Sequence, residues 1–172
     1  MDEKDLLYQF KKILVNNYRI EETNIFISEN NKSTNMDFNI VNRLTNTCIC
    51  LEAKTFNDMR SNSNSYLSLF GKILKGRKIR EKSKDISNMD YYEYGFLFHH
   101  NNINRIKTYF GIINRDDWII FCKTYDLKYI YIVNENGFDL FKAIDFIDNI
   151  KVDCVETYLE DSSIVENDTD DR

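Results

Sequence analysis

The stretch from Asn35 to Lys54, NMDFNIVNRLTNTCICLEAK, constrains the fold more than any other part of the chain. Phe38 to Val41 and Cys48 to Leu51 are short runs of Ile, Val, Phe and Cys, the apolar and β-branched character of buried strands. Arg43 to Thr47 between them are polar turn residues, which predicts an antiparallel hairpin. Because side chains alternate along a strand, Glu52 and Lys54 share one face while Ile49, Leu51 and Ala53 take the other. Folding back at Thr45 and Asn46 brings the Asp37 carboxylate alongside Glu52. Two carboxylates and an ammonium are thus expected at the end of an otherwise hydrophobic strand.

This set of groups suits a hard cation. Mg²⁺ takes one or two carboxylates and keeps its waters for substrate phosphate, so an Asp and a Glu serve it better than His or Cys. Metal binding lowers the pKa of a bound water and polarises a phosphoryl oxygen. A lysine beside the ion is pushed toward its neutral form by the cation and by burial, and held charged by the carboxylates, so base and fixed charge both stand open as roles for Lys54.

Met36-Asp37 followed by Glu52-Ala53-Lys54 resembles the signature of the PD-(D/E)xK nuclease superfamily, with Met36 where the family pattern has proline. The resemblance covers about residues 3 to 150. It implies a restriction-endonuclease-like α/β core, with Asp37, Glu52 and the Ala53 carbonyl holding Mg²⁺ or Mn²⁺. It also implies that Lys54 positions or deprotonates the attacking water. The implied activity is metal-dependent endonucleolytic hydrolysis of phosphodiester bonds, in DNA before RNA, and a homodimer would suit a double-strand cutter. A helix-borne glutamate joins the site in some members, with Glu3, Glu21 and Glu22 as candidates here.

Other readings stand beside this one. An E-x-K alone carries little information, and its weight here comes from the apolar strand before it and the acid on the preceding strand. In the structural alternative Glu52 and Lys54 form a solvated ion pair ending a strand. The fold would then serve as a catalytically inactive module binding nucleic acid or protein. A third possibility is a small inhibitor acting through protein contacts. Asp126-Leu127-Lys128 offers a competing D-x-K, but it stands in the turn after a helix and before its strand.

Around the hairpin, periodicity predicts a helix from Asp2 to Tyr18, with Leu6, Leu7, Phe10, Ile13 and Leu14 on one face, and a strand from Asn24 to Ser28. A helical stripe follows in Ser65 to Leu74. Between Lys72 and Lys84 lie seven bases, Lys72, Lys75, Arg77, Lys78, Arg80, Lys82 and Lys84, against Glu81 alone. Such a cluster attracts phosphate backbones through counterion release, and Lys72, Lys75, Arg77, Lys78 and Arg80 are the expected nucleic-acid contacts. Tyr91 to Phe98 and Lys128 to Val133 read as strands, Asn101 to Ile113 and Arg115 to Tyr125 as helices. Phe138 to Ile150 reads as an amphipathic segment with Leu140, Phe141, Ile144 and Ile147 on one face. His99 and His100, leaving a strand as neighbours, point apart and are read as a loop pair. The expected fold is α/β, a central mixed sheet flanked by helices.

The net charge of −5 looks wrong for a phosphate-binding protein until it is divided. Residues 153–172 carry eight acids and one arginine, which leaves the expected domain, residues 1–152, at +2. The acidic end lacks sustained periodicity and reads as a flexible tail. No run of 18 apolar residues and no secretory leader pattern is present, so a cytoplasmic, or in a eukaryote or virus nuclear, protein without membrane contact is expected. Cys48, Cys50, Cys122 and Cys154 lack C-x-x-C spacing and are expected as buried thiols.

Overall fold

In the computed structural model, which describes residues 1–28, 36–56, 69–71 and 89–153, the first helix, α1 (Glu3–Tyr18), begins where the sequence supplies its caps. The Asp2 carboxylate accepts the Asp5 N–H at 2.8 Å, and the Asp5 carboxylate accepts the Asp2 N–H at 3.2 Å. Two amides that a helix start leaves without partners are satisfied in this way. Arg19, in the left-handed region at φ 57°, turns the chain out of the helix.

Six strands follow: β1 (Ile25–Ile27), β2 (Phe38–Asn42), β3 (Thr47–Ala53), β4 (Tyr91–His99), β5 (Leu127–Val133) and β6 (Phe138–Lys142). They lie in one sheet in sequence order, with β3, β4 and β5 parallel and the outer pairs antiparallel. Helices α2 (Ile103–Phe110) and α3 (Arg115–Tyr125) join β4 to β5 as a parallel pair requires. The α/β fold with a mixed central sheet is therefore as expected.

The sheet is covered on both sides. Leu6, Leu7, Phe10, Ile13 and Leu14 of α1 pack with Phe38, Ile40, Ile49, Leu51, Ala53 and Leu97. Ile106, Phe110, Trp118 and Cys122 of α2 and α3 pack with Val41, Cys48, Cys50, Phe96 and Phe98. Cys48, Cys50 and Cys122 are buried free thiols. The turn between β2 and β3 is fixed by Asn42, whose Oδ1 accepts the N–H groups of Leu44 and Thr45, and by Asn46 at φ 52°. In the middle of β4, an ideal Cβ on Gly95 would lie 2.5 Å from the Tyr129 carbonyl oxygen and 2.7 Å from Leu51 Cδ2, so the strand needs glycine to pack that closely.

Two expectations need adjustment. Phe138 to Ile150 does not present a single apolar face. It opens with strand β6, in which Phe138 and Leu140 join the α1 side while Phe141 joins the other, followed by a 3₁₀ turn at Ala143–Asp145. An edge strand buried on both faces mimics helical spacing, and pairing with β5 decides the outcome. Of Ser65 to Leu74, only residues 69–71 are described, and they are helical.

Candidate metal centre

The hairpin register builds the site. Phe38 pairs with Leu51 and Asn39 with Cys50, and Asp37 stands in a bend one residue before β2, beyond the end of the ladder. The Ala53 N–H donates to Asp37 Oδ2 at 3.0 Å, which fixes the Asp37 carboxylate against the peptide between Glu52 and Lys54. Asp37 is held from the other side as well, since its carbonyl accepts the Ser28 N–H at 3.0 Å. Glu52 is 1% exposed. It belongs to the α2/α3 face with Cys48 and Cys50, as alternation requires. A solvated surface pair is thus excluded for Glu52.

Lys54 sits just beyond the end of β3, where its N–H still donates to Leu97 of β4 at 3.1 Å. Its ammonium lies 3.0 Å from Glu3 Oε1, and the two side chains are 19% and 41% exposed. Of the three glutamates considered for a helix-borne partner, Glu3 is the one in the first turn of α1 that reaches this lysine. Glu22 pairs with Lys11 at 2.7 Å instead, and that ammonium holds the Glu22 carboxyl below its ordinary range.

Three supporting residues carried no clear signal in the sequence. Asn39, 1% exposed in the middle of β2, donates to the Met36 carbonyl at 2.9 Å and braces the turn that presents Asp37. A polar residue inside the run FNIV was the available clue. Arg105 of α2 donates to the Phe56 carbonyl, tying down the chain two residues past Lys54. His99, the last residue of β4, is buried and its Nδ1 accepts the Asn101 N–H at 3.2 Å. Burial lowers its pKa, with smaller contributions from His100 and the N-terminal ammonium, opposed by Glu135. His100 is exposed, so the two histidines do part, but His99 belongs to strand β4 and not to the loop expected for the pair, because its pairing with Val133 of β5 carries the strand one residue further.

Among the described residues no group of three or more His, Cys, Asp or Glu side chains gathers at one point. Mg²⁺ needs only one or two carboxylates from the protein, and Asp37, just before β2, and Glu52, in β3, are the two candidates. Lys72, Lys75, Arg77, Lys78 and Arg80, the expected nucleic-acid contacts, lie outside the described residues, as does the acidic end beyond residue 153. No described helix is long and apolar enough to cross a membrane. No family model, curated protein or solved structure matches the chain.

Proposed function

We propose that the chain is a Mg²⁺- or Mn²⁺-dependent endonuclease of the PD-(D/E)xK type, hydrolysing phosphodiester bonds, with DNA as its substrate. The observation that carries this reading is the hydrogen bond from the Ala53 N–H to Asp37 Oδ2 at 3.0 Å, which ties the Asp37 carboxylate to the strand end that bears Glu52. The opening order of one helix and three strands agrees with it. Asp37 and Glu52, with the Ala53 carbonyl, would hold the ion, which when bound supplies an acidified water and a polarised phosphoryl oxygen. Burial makes Glu52 a ligand of fixed position, since a carboxylate taken out of water needs a compensating charge. Lys54 brings positive charge to the scissile phosphate. Its pairing with Glu3 is partly exposed and contributes at most about 1 kcal/mol, so exchanging Glu3 for a phosphate is a small cost.

The same ion pair favours a second reading. Lys54 committed to α1 would leave a non-catalytic domain that binds nucleic acid or protein through the retained fold. Incubating the full chain with supercoiled plasmid, single-stranded DNA and RNA, with and without Mg²⁺ or Mn²⁺, separates the two. Metal-dependent nicking of plasmid, reduced at least roughly hundredfold by Glu52→Gln and by Lys54→Ala, is expected. Binding without cutting under every metal condition supports the second reading, and cutting that survives both substitutions contradicts the site.

A further inference from the structure

Asn39 is 1% exposed, and its Oδ1 is buried with no hydrogen-bond donor among the described residues. The other end of the amide fixes which way the group lies. Nδ2 donates to the Met36 carbonyl at 2.9 Å and to the Phe26 carbonyl at 3.4 Å. Turning the amide over would press its oxygen against two carbonyl oxygens, so Oδ1 faces away from both. We propose that Asn39 Oδ1 is a third oxygen ligand of the divalent cation assigned above to Asp37 and Glu52, an inference that rests on that reading.

The placement comes from the hairpin. The Met36 carbonyl belongs to the peptide that leads into Asp37, so the Asn39 amide lies against the bend that carries this carboxylate. Along β2, Asn39 shares its face with Val41, which packs with Cys48 and Cys50. Its partner across the ladder is Cys50, and Glu52 follows two residues later on the same face. Asn39 and Glu52 are therefore diagonal neighbours, about 7–8 Å apart between backbones and within reach of a long side chain. The bond from the Ala53 N–H to Asp37 Oδ2 ties Asp37 to the same strand end.

The chemistry of the group suits the role. Leaving a buried acceptor without a donor costs stability, so a folded chain that keeps one invites a reason. Hard divalent ions take neutral amide and carbonyl oxygens as well as carboxylates. No third His, Cys, Asp or Glu joins the two carboxylates among the described residues, and an amide adds a ligand without adding a third negative charge. Only an amide also offers donors on its other side, which the Met36 and Phe26 carbonyls require.

Calorimetric titration of the full chain with MnCl₂ tests the proposal in wild type, Asn39→Ala and Asn39→Asp. Both substitutions remove the donors to Met36 and Phe26 and should lower the melting temperature. Asn39→Ala also removes the oxygen and should weaken Mn²⁺ roughly tenfold or more, whereas Asn39→Asp keeps an oxygen there and should bind at least as tightly as wild type. Equal weakening in both would make Asn39 a brace alone and overturn the proposal, as would an affinity indifferent to Asn39→Ala. Crystals of the wild type grown in MnCl₂ give a readout that needs no variant, with Oδ1 expected within about 2.0–2.4 Å of the metal. Manganese on Asp37 and Glu52 with Oδ1 more than about 3 Å away, or a water hydrogen-bonded to Oδ1 in its place, overturns the third ligand alone. Manganese on neither carboxylate overturns the metal-site reading as well.

Discussion

On the α1 side of β3, Ile49, Leu51 and Ala53 are at most 1% exposed and belong to one apolar cluster. On the other side Cys48 and Cys50 are buried just as deeply, yet the series ends in Glu52, also 1% exposed. The same strand therefore has one face optimised for packing and one that accepts a buried carboxylate, whose desolvation costs several kcal/mol unless it is compensated. Folding does not ask for that carboxylate. A buried carboxylate beside Asp37, itself held by a backbone N–H, is where function is to be sought.

The largest expected effect breaks the packing face. Leu51→Ala should lower unfolding stability by about 2–5 kcal/mol in denaturant titration, as large-to-small changes in a closed core do. Glu52→Gln on the opposite face keeps the shape and removes the charge, and should cost less stability than Leu51→Ala. A loss from Glu52→Gln as large as that from Leu51→Ala would erase the contrast. Lys54→Ala comes next, with a stability change below about 1 kcal/mol because its partner Glu3 is partly exposed.

The smallest effect uses Glu93, a half-buried carboxylate near the start of β4, as an internal control. Burial raises its pKa above the ordinary 4.5, with Lys128 opposing, so the folded state binds more protons than the unfolded one. Its contribution to stability is complete below pH 4.5 and is lost as pH rises through the folded pKa. Glu93→Gln should therefore melt like the wild type at pH 4 and slightly higher at pH 7, with cleavage unaffected. An advantage confined to low pH would contradict the sign.

The hairpin and the shared face of Glu52 and Lys54 were legible in the sequence because a strand has period two and an apolar run makes that period visible. Asn114 Oδ1 caps α3 by accepting the N–H groups of Asp116 and Asp117, a local feature that helical periodicity alone does not include. What was not legible comes from elements distant in sequence. Glu3 meets Lys54 across 51 positions, and Arg105 meets Phe56 across 49, contacts set by how α1 and α2 dock on the sheet. β6 was obscured for a related reason, since neighbours on both faces remove the alternation by which a strand is recognised.

The pairing of Asp37 with Glu52 is tested most directly by growing crystals in MnCl₂ and locating manganese from its anomalous signal. The account predicts a single strong peak within about 2.0–2.4 Å of carboxylate oxygens from both residues, lost in Glu52→Gln. Manganese bound elsewhere, or retained at that position after the substitution, would contradict it.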